Sequence, residues 1–213
     1  KTCLNLHPAS GVQAHEATYC QFANAMGFDT AGCHTIPFDI TNKQFAKSYF
    51  DVLLHPYEKA GVDFWWLDWQ QYSQTKLKGV NPTFYLNYVH FSDMQRQGKR
   101  PLIFHRYGGL GNQRYQIGFS GDVIINWKSL AYQPWFTATA ANVGFGFWSH
   151  DIGGHMQPMS KKLKQDAELF TRWGQWGAFS PIFRTHATND PGIERRMWQY
   201  PAENFEAMKK AVL

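Results

Sequence analysis

Short apolar or aromatic runs, each closing on a polar residue, alternate along the chain with stretches whose apolar positions recur every three to four residues. The runs are Thr2 to His7, Val62 to Asp68, Pro101 to Arg106, Ile117 to Asp122, Phe145 to Asp151 and Phe179 to His186. Their lengths and the turn residues that bound them predict strands. Lys43 to Lys59, Thr83 to Gln97, Lys128 to Asn142 and Lys161 to Trp176 are amphipathic and long enough to predict helices. Gly and Pro fall mostly between these segments, as in Gly108-Gly109-Leu110-Gly111 and Asp190-Pro191-Gly192. The run from Tyr107 to Gln116 is too Gly-rich for a full helix, so a loop is expected to join the strands on either side of it.

Strands that are apolar along their length need cover on both faces, which favours a parallel sheet, either open and doubly wound or closed into a barrel. The polar tips favour the barrel, because it brings the carboxyl ends of all its strands to one mouth. A closed (β/α)8 barrel needs eight strands and about 250 residues. Six runs in 213 residues therefore predict a partial α/β barrel, with residues 1–213 as one domain.

Composition adds a weak pointer to sugars. Aromatic residues make up 17% of the chain, and nine of them are Trp, which suits stacking on flat apolar sugar faces as well as core packing. The formal charge is +5, but the basic residues are scattered. Only Lys161, Lys162 and Lys164 cluster, and they read as a solvated helix face, so no nucleic-acid partner is expected. Cys3, Cys20 and Cys33 are odd in number and lack CxxC spacing, which predicts neither a zinc site nor a disulfide framework. No apolar run reaches the roughly 18 residues of a membrane span. No targeting leader opens the sequence, and localisation stays open.

The chemistry sits at the strand tips. Gly61 to Gln70 is a buried-strand pattern that ends in Asp68 between aromatic neighbours; alone, such an Asp could equally cap a turn. Arg114 to Asp122 ends a second short strand in a carboxylate after small residues that let a ligand approach. Two carboxylates at one mouth are the minimum equipment for glycoside cleavage. His150 and His155 flank Asp151 at a spacing that a metal could use, as do His7 and His15. Without a set of metal-ligand spacing, hydrogen bonding is the better reading, and no metal is expected. Gly108-Gly109-Leu110-Gly111 lacks the spacing of a phosphate or dinucleotide loop, and no cofactor is expected.

Five segments resemble motifs of glycoside hydrolase family 31, in order. Trp66-Leu67-Asp68-Trp69-Gln70-Gln71 resembles its nucleophile motif, and Phe119-Ser120-Gly121-Asp122 its acid/base motif. Phe104-His105-Arg106-Tyr107, Trp148 to His155 and Phe183-Arg184-Thr185-His186 match further segments. Asn5-Leu6-His7-Pro8, followed by Gly11-Val12, resembles the end of the family's third barrel strand. The six runs would then be strands three to eight, with the first two upstream of Lys1. The chain would end inside the last barrel helix, truncated at both ends, with flanking β-sandwich domains expected in the full-length protein.

The resemblance implies a retaining α-glycosidase acting on terminal α-linked sugars of an oligosaccharide or glycoside. It assigns Asp68 the attack on the anomeric carbon and Asp122 the protonation of the leaving oxygen and the later activation of water. Arg106 would neutralise and orient the carboxylate of Asp68, and Phe119 would supply an apolar surround for Asp122. Asp151 and His186 would hydrogen-bond sugar hydroxyls. Trp66 and Trp148 would form part of the subsite wall, though a core role is open to both, and Arg184 could be a structural ion-pair partner. After the nucleophile many members carry Met-Asn-Glu, where this chain has Trp69-Gln70-Gln71, and the acid/base motif often begins with Trp rather than Phe119. Both changes alter the pocket wall. Glucose, xylose, galactose or an N-acetylated sugar would fit, with α-glucoside ranked first. A transglycosylase and a catalytically silent sugar-binding barrel are the alternatives.

Overall fold

The structure, a computed structural model, describes residues 1–69, 75–106, 109–159 and 166–213. It comprises two compact units, Lys1–Gln116 and Ile117–Leu213. The Lys161, Lys162 and Lys164 cluster, Gln70-Gln71, Tyr107 and Gly108 lie outside the described residues.

In the first unit, β1 (Cys3–Leu6), β2 (Phe64–Leu67) and β3 (Ile103–His105) pair in parallel, in that order. Parallel neighbours need a crossover. The connection from β1 to β2 carries α1 (Tyr19–Met26), α2 (Lys43–Ser48) and α3 (His55–Lys59), and that from β2 to β3 carries α4 (Pro82–Arg96). Phe22, Ile40, Phe45, Leu54, Leu67, Leu86 and Ile103 are fully buried where helices meet sheet. The single helix expected over Lys43 to Lys59 is interrupted. Between α2 and α3, Tyr49–Leu54 forms a π-helical turn in which the His55 amide donates to the Phe50 carbonyl, five residues back. Pro56 follows; it has no N–H, and its ring crowds the preceding turn, which favours the wider winding there. α1 is an addition to the expected helices. Its N-terminus lacks a side-chain cap, so its start carries no signal.

In the second unit residues 117–119 of β4 (Gln116–Phe119) pair in parallel with β5 (Phe147–Ser149), Gly118 standing opposite Trp148. Its helices are α5 (Trp127–Asn142), α6 (Ala167–Gly177) and α7 (Ala202–Val212). Ile125, Ile152, Leu169, Phe170, Trp173 and Met208 form one core cluster, and Ala140, Phe145 and Trp148 another, with Phe136 packed on it. Trp148 lies so close to β4 that a Cβ on Gly118 would sit 2.7 Å from its ring. Asn126 and Asp166 cap α5 and α6 by accepting from the amides of Ser129 and Leu169, as Asn81 does for α4 with Phe84. The sixth expected strand, Phe179 to His186, is reduced to two isolated parallel bridges, Ser149 with Ile182 and Ile152 with Thr185. Pro181 stands before the first bridge and cannot donate to a ladder. No described helix is long and apolar enough to cross a membrane.

Candidate active site

The two-residue period of the parallel strands builds the first part of the site. Asn5, Trp66 and Phe104 lie opposite one another in β1, β2 and β3. Two residues on, past the last paired positions, stand His7, Asp68 and Arg106, whose side chains share the same face. The backbone holds these tips in register: the Asp68 amide donates to the Leu6 carbonyl, and the Arg106 amide to that of Leu67.

The Asp68 side chain is only 7% exposed, and a carboxylate so placed needs partners. Arg106 Nη1 donates to Oδ1 at 2.8 Å, Asn5 Nδ2 donates to Oδ2 at 3.0 Å, and His7 Nε2 lies 3.4 Å from Oδ2. Arg106 is fixed in turn, its guanidinium 5.0 Å from the centre of the Trp69 ring. Trp69 is exposed, a ring beside the carboxylate that could receive a sugar face. Trp66 lies deeper, buried and stacked on Phe104 with ring centres 4.8 Å apart.

The second unit assembles around Asp151, which follows β5 and is fully buried. Arg184 Nη2 donates to Oδ1, and His155 Nδ1 lies 2.9 Å from Oδ2. The Ile152–Thr185 bridge and the bond from the Ile152 amide to the Arg184 carbonyl bring residues 184 to 186 alongside. His186 thereby reaches His155, with ring centres 5.2 Å apart. Burial pushes the Asp151 carboxyl up, but the His155 hydrogen bond and the charges of Arg184, His186 and His155 outweigh it and hold it below the ordinary value. Asp122, after β4, places Oδ1 3.8 Å from His155 Nδ1, so one imidazole stands between two carboxylates. Phe119, the last residue of β4, lies under Arg184, 5.5 Å from its guanidinium carbon.

Asp151, His155 and His186 each offer a ligand atom within 4.8 Å of the others, so this trio could hold a divalent cation. Arg184 on Oδ1 and Arg195, which is close enough to Asp151 to feel its charge, set two guanidinium groups against a dication. The same donors and acceptors suit sugar hydroxyls, which are neutral and take both roles.

Of the residues expected to act, Asp68 and Arg106 meet in the first unit. Asp122, Asp151 and His186 all border His155 in the second. Arg184 takes the ion-pair role left open for it. Trp148 packs in the cluster with Phe136, Ala140 and Phe145. Asn5, His7, Trp69 and His155 join the site without having been expected in it. For Asn5 and His7 the available signal is their two-residue spacing toward the tip of the first run. For His155 the signal is its spacing of four from Asp151, with which it pairs, whereas its neighbour His186, 31 residues away, carries none.

The residues from 5 to 213 match the family model for the glycosyl hydrolases family 31 TIM-barrel domain. The chain is 33% identical over 125 residues to an alpha-xylosidase of Saccharolobus solfataricus, covering 58% of this chain and 17% of that protein. It is 30% identical over 151 residues to the neutral alpha-glucosidase AB of Homo sapiens, covering 68% of this chain and 15% of that one. It thus spans about a sixth of the length of these curated relatives. The crystal structure of a family 31 alpha-xylosidase from Xanthomonas citri superposes with a TM-score of 0.72, at 24% identity, over 98% of this chain and 27% of that one. The parallel strands and crossover helices described above are accordingly part of a (β/α)8 barrel, and the chain belongs to the family 31 glycosyl hydrolases, as their TIM-barrel domain.

Proposed function

We propose that this chain is the catalytic barrel of a retaining α-glycosidase. The observation that carries the reading is the setting of Asp68, a nearly buried carboxylate at a strand tip, held on both oxygens by Arg106 and Asn5. Fixed donors keep it aimed, and Oδ1 retains a lone pair beyond the one Arg106 occupies. In the first step that oxygen attacks the anomeric carbon as the bond to the leaving oxygen breaks, and Asp122 gives its proton to that oxygen. In the second, Asp122 takes a proton from water, whose oxygen attacks the same carbon and releases Asp68. Two inversions leave the α configuration unchanged. Asp151 and His186 hold sugar hydroxyls, Trp69 and Phe119 border the sugar, and Trp66 supports the floor beneath Asp68.

α-Glucoside is the proposed first substrate, with α-xyloside next; relatives of each name stand among the matches. The test is a covalent trap on the intact protein. Fluorinated α-glucosyl and α-xylosyl substrates, followed by peptide mass spectrometry, should place a glycosyl adduct on Asp68. An adduct on another carboxylate would overturn the assignment. Failure of every sugar tried to label the protein would favour a silent sugar-binding barrel.

A further inference from the structure

His150 precedes Asp151 but faces the other way and is fully buried. Its Nδ1 lies 2.9 Å from Ser120 Oγ, and its Nε2 lies 3.2 Å from Trp176 Nε1 and 3.3 Å from Thr137 Oγ1. The indole N–H of Trp176 can only donate. Nε2 must therefore carry the lone pair, which puts the proton of the neutral ring on Nδ1, from which it is donated to Ser120. Burial agrees with a neutral ring, lowering the imidazole to about 4.

The target of that bond is the turn that carries Asp122. The Ser120 amide is tied to the Ser149 carbonyl at 3.1 Å, and the Val123 carbonyl accepts from the His155 amide at 2.8 Å. Between these anchors lie only Gly121 and Asp122, and Gly121 has a φ of 84°, a left-handed joint with no side chain to stiffen it. One backbone bond on Ser120 leaves rotation about its own Cα open, whereas a second bond through Oγ removes it. We infer that His150 is a positioning residue for Asp122, using the Ser120 hydroxyl to lock the base of the Gly121 joint. This rests on the reading of Asp122 as the acid/base.

The test compares His150→Phe, His150→Asn and Ser120→Ala in the intact enzyme, with Asp122→Ala as reference, on aryl α-glucosides with good and poor leaving groups. An ångström of misplacement can cost about a hundredfold, so His150→Phe and Ser120→Ala should each lower kcat/KM about ten- to a hundredfold on poor leaving groups. Both should leave kcat/KM on good leaving groups nearly unchanged. His150→Asn, whose amide nitrogen overlays Nδ1, should recover most of the loss. The double variant should be no worse than either single one, because one bond is lost in each. Equal loss on both leaving-group classes, or a fully active Ser120→Ala beside an impaired His150→Phe, would assign His150 to packing and overturn the inference. Should His150→Phe fail to fold, as a thermal melt would reveal, Ser120→Ala alone decides the matter by the same leaving-group comparison. If Asp122→Ala itself shows no leaving-group dependence, the acid/base reading falls and the inference with it. If only the positioning variants lack that dependence, the acid/base reading stands and the inference falls.

Discussion

Asp151→Asn removes one charge with almost no change of shape, at a site where the charge has buried partners. Breaking a buried pair by deleting one member costs about 3–5 kcal/mol. Arg184 keeps 18% of its side chain exposed, so solvent recovers part of its charge, and a cost of about 2–3 kcal/mol is expected. For a cooperative unit of roughly 200 residues that is a fall of about 4–12 °C in Tm. The pH dependence follows from the same contacts. The Asp151 carboxyl is held below its ordinary value in the folded protein, so the stabilisation is complete above the unfolded value of about 3.9 and is lost as pH falls through the folded one. The gap in Tm between wild type and variant should close as pH falls below about 4. Thermal melts of both proteins at half-unit steps measure it. A gap that persists unchanged at pH 3, or none at pH 7, would refute the charge-pairing account of Asp151.

Asp122→Ala should lower kcat/KM about a thousandfold on poor leaving groups and far less on activated ones, as steady-state kinetics on aryl glycosides would register; equal losses in kcat/KM would refute its role as acid. Arg106→Met keeps the length of the side chain but frees Asp68 to rotate, and should lower kcat/KM about a hundredfold, while an unaffected rate would show that Asn5 and His7 suffice. Gly118→Ala would set a Cβ 2.7 Å from the Trp148 ring and 3.0 Å from Phe145, at a cost of about 1–3 kcal/mol. Trp148→Phe in the same background should restore part of the lost Tm, and no restoration would refute the overpacking.

The strand tips are legible because a parallel strand buried on both faces admits a polar residue only where it ends. That rule marks Asp68, Arg106, Asp122 and Asp151, and five of the six runs contain observed strands. The run at Phe179 to His186 has the same apolar look, but its pairing shrinks to two bridges beside Pro181, and periodicity does not register a missing donor. α1 escapes the pattern although Tyr19, Phe22 and Ala23 share a buried face, because eight residues without a capping side chain resemble a loop. The interruption of the Lys43 to Lys59 helix is written in Pro56, a residue that amphipathic spacing ignores. Least visible are the partners. His150 and His155 look equivalent around Asp151, yet one turns to Ser120 and Trp176 and the other to Asp151 and His186. Local spacing distinguishes neither, since which side of the turn each ring takes is decided by segments distant in sequence.

The two-residue alternation that lines up His7, Asp68 and Arg106 also limits how this barrel can diversify. Inserting one residue inside β2 would put Leu67 in the place of Asp68 and deleting one would put Trp69 there; either way the carboxylate turns toward the apolar layer that holds Leu54 and Leu86. A length change within a strand therefore displaces the site, whereas one in a connection that carries no site residue leaves it in place. The chemistry stays where the pleat put it.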